Sequence, residues 1–151
     1  MQKLFIAAFT YMVLGVSAGL FYREFTKALD FPEGQFTQLA VAHTHLLTLG
    51  FIVLLIILAL EKLFTLSASR KMFAWFFWLY NVGLVITAGV LIWHGSLTVL
   101  GKEGNAMISG IAGIGHILIT AGMIVFFLLL GKAIKRDTLA AKANDAAVAN
   151  A

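Results

Sequence analysis

The chain has 151 residues, of which 61% are hydrophobic and 12% are charged, and its formal net charge is +4. Soluble domains average about 45–50% apolar and about 25% charged residues, so this composition excludes a soluble enzyme, a disordered chain and a nucleic-acid-binding module. The sequence contains no cysteine, which excludes disulfides, thiolate metal sites and iron–sulfur clusters. The basic excess is better explained as a set of membrane orientation signals than as a nucleic-acid surface.

Four apolar segments follow one another along the chain, and each reaches the length of about 20 residues that a membrane-spanning helix needs. They are Leu4–Tyr22, Gln38–Leu60, Met72–Leu97 and Ala106–Gly131, and none contains Asp, Glu, Lys or Arg. The pattern predicts an all-α protein, a membrane-embedded antiparallel four-helix bundle with up-down-up-down order. We expect one transmembrane domain over residues 1–137 and a flexible tail over residues 138–151.

The distribution of Lys and Arg predicts the orientation of these spans, because cytoplasmic loops are enriched in basic residues. Basic residues concentrate in the second connection and after the fourth span, namely Lys62, Arg70, Lys71, Lys132, Lys135, Arg136 and Lys142. The first and third connections balance basic residues with acidic ones. We therefore expect the second connection and both termini to be cytoplasmic. An alternative for the first span is a cleaved signal peptide, since Val16-Ser17-Ala18 resembles a small-residue cleavage site.

The four histidines are the candidate functional residues, because all of them lie inside predicted spans, where ionisable groups are costly. They are His43, His45, His94 and His116. At 1.5 Å per residue, all four fall in the outer half of the bilayer or at its floor. His43 and His45 point about 200° apart on their helix, so they cannot chelate one ion together.

Imidazole suits zinc, copper, nickel and iron, whereas hard cations need oxygen ligands that these spans lack. A b-type haem needs only two axial histidines in an apolar slot, while a zinc site takes three or four converging ligands. We therefore expect one or two haems, with His45 paired with His116 and His43 paired with His94. Copper or zinc binding remains the alternative.

Small residues near the histidines could let a helix or a flat macrocycle approach the backbone. The candidates are Gly15, Gly19 and Gly113, and Arg23 or Lys27 could pair with haem propionates. The simpler interpretation is that the glycines pack helices and that the two basic residues anchor the first span at the interface. Likewise, each histidine could instead bond a neighbouring helix, with Thr44, Thr48, Thr87 and Thr120 as candidate hydroxyl partners.

Several sequence blocks carry a family resemblance. They are Gly19-Leu-Phe-Tyr-Arg-Glu-Phe-Thr-Lys27, Ala42-His-Thr-His-Leu-Leu-Thr-Leu-Gly50, Leu60-Glu-Lys-Leu-Phe64 and Gly113-Ile-Gly-His-Ile-Leu-Ile-Thr120. On these blocks the chain resembles the DUF2871 family of small four-helix bacterial membrane proteins. The resemblance covers all four spans and implies residence in the bacterial cytoplasmic membrane, without implying an activity.

A shorter segment, Val41-Ala-His-Thr-His-Leu-Leu47, is similar to the His-x-His helix of haem–copper oxidase subunit I. In that family the two histidines ligate two haems on opposite sides of the helix. This chain has four spans rather than twelve, and it lacks the copper-site histidines and the crosslinked tyrosine motif. Haem ligation is therefore the only property that the similarity implies.

These observations predict an integral membrane haem protein for electron transfer or diatomic gas binding. A homodimer or a larger respiratory-type complex is an expected partner, and the Gly15/Gly19 and Ser109/Gly113 pairs are candidate dimer faces. The alternatives are a copper or zinc binding or transport protein and a structural subunit of a membrane complex.

Overall fold

The computed structural model describes residues 1–150 and is all-α, with 87% of the residues in helices. The α-helices are α1 (Gln2–Ala28), α2 (Leu39–His45), α3 (Val53–Phe64), α4 (Arg70–Val99) and α5 (Ala106–Ala149). A π-helical segment, Leu46–Ile52, joins α2 to α3, so that Leu39–Phe64 forms one continuous span. A short 3-10 turn, Leu66–Ala68, links α3 to α4.

Each predicted span lies within one helix to within a residue at its start, and four helices are long and apolar enough to cross a membrane. The structure differs from the sequence-based expectation at the end of the chain. The segment expected to form a flexible tail after residue 137 continues α5 as helix to Ala149. Alanine has the highest helix propensity of all residues, and this segment is rich in alanine, which accounts for the continuation.

Helices α4 and α5 pack closely along their length, and glycines make this possible. A methyl group on Gly83 would lie 2.8 Å from the carbonyl oxygen of Gly115, and one on Gly122 would lie 2.9 Å from the backbone nitrogen of Tyr80. Because the residue numbers rise along one helix as they fall along the other, the two helices run antiparallel. We call this contact the glycine seam.

Helix α1 packs against the Leu39–Phe64 span in the same antiparallel manner. Gly15 lies against Leu47, and Gly19 lies against His43. Gly50 in turn lies against the ring of Tyr11. Gly15 therefore lets α1 approach the Leu39–Phe64 span closely, whereas a methyl group on Gly19 would meet His43 at ordinary van der Waals distance.

The Leu39–Phe64 span also packs against α4, where Gly95 lies against the backbone of Leu39 and the Thr37 hydroxyl donates to the Gly95 carbonyl at 2.9 Å. Helix α5 contacts the span through α3, but it has no substantial contact with α2 or α1. The order across the molecule is therefore α1, the Leu39–Phe64 span, α4 and α5, with α5 leaning back onto α3.

The two ends of the bundle differ in how their chain segments are secured. At one end, called here the basic end, Arg136 of α5 donates to the carbonyls of Phe64 and Thr65. Glu61 is buried there and accepts hydrogen bonds from the Ser67 amide and hydroxyl. The opposite end carries the first and third connections, residues 29–38 and 100–105, and is called the histidine end.

The surface of the bundle is strongly apolar. The most apolar stretch of α5 is 22% buried and that of α4 is 44% buried. Large side chains such as Trp75, Ile117 and Phe127 are each more than 60% exposed. Such a surface is compatible with a lipid bilayer and would be unfavourable in water.

Candidate histidine site

All four histidines lie in the half of the bundle nearer the histidine end. Counted at 1.5 Å per residue from the helix terminus at that end, His43 and His45 lie about 6 and 9 Å deep. His94 lies about 7 Å from the end of α4, and His116 lies about 15 Å from the start of α5. The predicted clustering in depth therefore agrees with the helix bounds of the structure.

His45 and His116 have the same local geometry. The Nδ1 of His45 lies 3.1 Å from the Val41 carbonyl oxygen, and the Nδ1 of His116 lies 2.9 Å from the Ala112 carbonyl oxygen. A carbonyl oxygen only accepts hydrogen bonds, so each Nδ1 carries the proton. In the neutral imidazole with this tautomer, Nε2 is the nitrogen with the free lone pair, which is the atom that ligates a metal.

His43 and His94 differ from that pair. The Nδ1 atoms of both rings are buried and have no hydrogen-bond partner. The His43 ring packs near Gly19 of α1, and the His94 ring packs so closely on Gly104 that a methyl group there would overlap it. Gly104 therefore provides space that the His94 ring occupies, whereas a methyl group on Gly19 would meet His43 only at van der Waals distance.

Among residues 1–150, no histidine ring forms a hydrogen bond to another helix. The Thr120 hydroxyl donates to the backbone of its own helix, and the Thr87 hydroxyl is buried without a partner beside Gly115. The candidate threonine partners therefore do not satisfy the imidazoles. This counts against the interpretation that the histidines only join helices together.

The two histidines of α2 lie on opposite flanks of its buried stripe, which consists of Leu39, Ala42 and Leu46. His43 lies on the flank that contacts α1. His45 is about 200° away around the helix, on the flank turned away from α1. Because α5 contacts α3 and not α1, that second flank is on the α5 side.

His116 lies on the face of α5 that turns toward the Leu39–Phe64 span. It precedes Met123 by seven residues, and Met123 packs against the hydrophobic core; two full turns bring both residues to nearly the same direction. His116 is nevertheless exposed, because α5 has left α2 at this depth. By helix geometry, His45 and His116 therefore lie on the flanks of α2 and α5 that turn toward the gap between these helices, and we call this gap the cleft. His43 and His94 instead pack against different glycines.

Of the remaining candidate residues, Arg23 and Lys27 lie on α1, and Gly113 lies on α5. Arg23 is exposed, lies 3.6 Å from Glu24 and stands with Lys27 at the end of α1, on the His43 flank rather than the cleft side. Gly113 is exposed, and a methyl group there would meet no atom within 4 Å. The glycine that packs α5 against α4 is its neighbour Gly115. Gly113 instead leaves open space near His116.

Within residues 1–150 there is no group of three or more His, Cys, Asp or Glu side chains placed to hold a metal ion. This arrangement does not provide the three or four converging ligands that a zinc site usually takes. A haem differs, since the porphyrin supplies four of the iron ligands and the protein needs to supply one or two. The donor set of the cleft, two imidazoles on different helices, fits that requirement.

The sequence analysis missed the π-helical segment directly after His45. The segment is stabilised by a contact with another helix, which no local sequence pattern predicts. The Tyr80 hydroxyl of α4 donates to the Leu49 carbonyl at 3.0 Å, and that carbonyl lies inside the π segment. π-Helical turns occur frequently at functional sites. Here each wider turn holds more residues than an α turn, so the buried positions of α3 do not continue the α-helical spacing of α2.

A family model described as a protein of unknown function, DUF2871, matches residues 1–133. The chain belongs to the DUF2871 family. The match ends before the last part of α5 and includes all four histidines. No curated protein matches the chain, and no solved structure matches it.

Proposed function

We propose that this DUF2871 protein is a membrane-embedded b-type haem protein in which His45 and His116 are the axial ligands. The observation that carries the proposal is the shared geometry of these two rings. Each holds its Nδ1 proton on a carbonyl of its own helix, which leaves Nε2 free as a ligand.

The surroundings of the two rings support a planar apolar ligand. The cleft between α2 and α5 is open at the depth of His116, and Gly113 adds space along the α5 wall. His45 and His116 differ in depth by about 6 Å along their helices. A haem in the cleft would be held by His45 from α2 and by His116 from α5, with apolar helix surface on both sides.

A bound haem, held by His45 and His116, would supply a one-electron iron couple or a binding position for a diatomic gas. The protein's own contribution is to fix both imidazole tautomers and to exclude water from the apolar walls. Arg23 and Lys27 lie at the end of α1 on the other flank of the span, so they are not proposed as propionate partners for this haem.

We place the protein in the bacterial cytoplasmic membrane with up-down-up-down passage of its four spans and with both termini cytoplasmic. The support is the charge distribution, since basic residues gather at the basic end and around the start of α4. The histidine cleft then lies in the outer half of the bilayer. A second copy or a larger respiratory-type complex is the proposed redox partner.

The test is optical spectroscopy of the full chain, purified in a mild detergent after expression with ample haem. We expect a Soret band, and a sharp visible band on reduction. His45→Ala and His116→Ala should each weaken haem retention about tenfold or more, because loss of a ligand is at least as costly as loss of its supporting bond.

His43→Ala is the matched control, because it removes an imidazole from the same helix, two residues away, on the flank that faces α1. It should keep the haem-to-protein ratio of the unchanged chain. A colourless protein, or equal haem loss in the His43 and His45 variants, would contradict the proposal. Stoichiometric copper or zinc without iron would overturn it in favour of a non-haem metal protein.

A further inference from the structure

Three cavities surround the start of α4 at the basic end, and each has at least one basic side chain at its edge. One of about 240 Å³ is bordered by Lys132 and Arg136. A second, of about 250 Å³, is bordered by Lys3 and Arg70, and a third, of about 290 Å³, by Lys71. No acidic residue lines any of the three, so their combined field is positive.

The acidic groups nearest these cavities are already engaged. Glu61 accepts two hydrogen bonds from Ser67, and Asp137 pairs with Arg136 at 2.7 Å. Lys132 has no ion pair among residues 1–150 and is exposed. Lys132 therefore brings an uncompensated positive charge to the 240 Å³ cavity.

The same cavity contains the start of α4. Ser69 is the N-cap of α4 and lines the cavity, but its side chain forms no capping hydrogen bond. The first amides of the helix therefore lack a side-chain acceptor, and the helix dipole adds partial positive charge there. The start of α4 and the unpaired ammonium group of Lys132 together suit a phosphate group, while Arg136 is held by Asp137 and by the end of α3.

The apolar part of the cavity distinguishes a lipid from a free ion. Leu66 and Leu129 line it below the basic residues. One turn earlier on α5, Phe127 and Leu128 are 63% and 61% exposed on the outer surface. A phosphate held between Lys132 and the start of α4 would thus lie directly above apolar surface that suits acyl chains.

The cavity at the opposite end has a different charge pattern. It measures about 530 Å³ and is lined by Lys27 together with Asp30 and Glu33. Two carboxylates beside one ammonium group do not favour an anionic headgroup. The three cavities bordered by basic side chains without acidic ones thus lie at the basic end, whereas the cavity at Lys27 has a mixed charge pattern.

We infer that the cavity between Lys132, Arg136 and Ser69 binds the phosphate of an anionic glycerophospholipid. The neighbouring cavities at Arg70 and Lys71 extend this into a belt of anionic lipid around the start of α4. Trp75 and Trp78 line the third cavity, and Trp is typical of the headgroup level of membrane proteins. This inference does not depend on haem binding.

The experiment measures lipid binding to the delipidated full chain in detergent by native mass spectrometry. The probes are dioctanoyl phosphatidylglycerol, dioctanoyl phosphatidylcholine and inorganic phosphate. We expect saturable binding of phosphatidylglycerol only. Lys132→Gln should weaken it about fivefold, the effect of one basic residue near an anionic lipid, and Lys132→Arg should retain it.

Lys102→Gln is the control, because it removes one exposed lysine from the histidine end and should leave binding unchanged. Arg136 is not the variant of choice, since it also secures the end of α3. Equal binding of the two lipids, or equal effects of the Lys132 and Lys102 variants, would overturn the inference. Competition by millimolar inorganic phosphate as effective as that of phosphatidylglycerol would overturn the assignment to lipid.

Discussion

Helix α5 meets two neighbours in two different ways. Against α4 it forms the glycine seam, where Gly83, Gly115 and Gly122 leave no room for a side chain. Against the Leu39–Phe64 span it packs only through α3 and separates from α2. The Phe76 and Phe126 rings, 5.3 Å apart, belong to the closed side, and His45 and His116 belong to the open side.

Helix α5 is thus held closely against α4 while a gap remains between α5 and α2. Without a hydrophobic driving force between helices in lipid, close packing through small residues carries much of the association. The seam supplies that packing along α4, so the α2–α5 side does not have to close. The open side is therefore available for polar side chains that would disrupt a packed seam.

The largest effect is expected from breaking the seam. In Gly83→Ala the new methyl group would lie 2.7 Å from the Ile119 amide nitrogen and 2.8 Å from the Gly115 carbonyl oxygen. Because both are backbone atoms, α5 must move, at a cost of about 1–3 kcal/mol. Gly89→Ala on the same helix meets nothing within 4 Å and should be neutral or slightly stabilising. Thermal unfolding in detergent would compare the two variants, and equal stabilities would contradict a tight seam.

A smaller effect is expected from Tyr80→Phe, which removes the hydrogen bond to the Leu49 carbonyl inside the π segment. We expect a loss of about 1 kcal/mol in the free energy of unfolding. Tyr22→Phe is the control, since the Tyr22 hydroxyl forms no hydrogen bond among residues 1–150. Chemical unfolding monitored by circular dichroism measures both. If the Tyr80 variant matched the control, the bond would have no role in holding the π segment.

The smallest effect is expected from His43→Leu. The buried Nδ1 of His43 has no hydrogen-bond partner, so an apolar side chain removes no bond and should change the free energy of unfolding by less than about 0.5 kcal/mol. The same unfolding measurement checks this value. A loss above about 1 kcal/mol would show that the ring forms a stabilising contact with α1 beyond simple packing.

Hydropathy alone predicted the four spans, because each is an uninterrupted apolar run bounded by charged or turn-forming residues. Hydropathy did not predict that α5 continues beyond residue 137. This segment is rich in alanine and has no apolar stripe, but its helix propensity is high. The π segment depends on a hydroxyl of α4 that lies 31 residues along the chain. Such a long-range bond leaves no periodic signal in the sequence.

For the candidate site, the sequence predicted which residues are involved and how deep they lie in the span. It predicted only in part the direction in which each histidine side chain leaves its helix. The 200° between His43 and His45 follows from helix geometry alone. The proximity of His94 to Gly104 could not be predicted, because it depends on the path of the connection between α4 and α5. Gly113 and Gly115 are alike in sequence, and only the packing partner of α5 distinguishes the exposed glycine from the buried one.

The π segment also has a consequence for how this membrane span can vary. A π turn accommodates one residue more than an α turn, so deleting a single residue between Leu46 and Ile52 would let an α-helix run through without interruption. Because the π turn already takes up that residue, α2 and α3 would keep nearly their present relative rotation. The Leu39–Phe64 span can therefore lose one residue at this point while the histidines of α2 and the buried side chains of α3 keep their present directions.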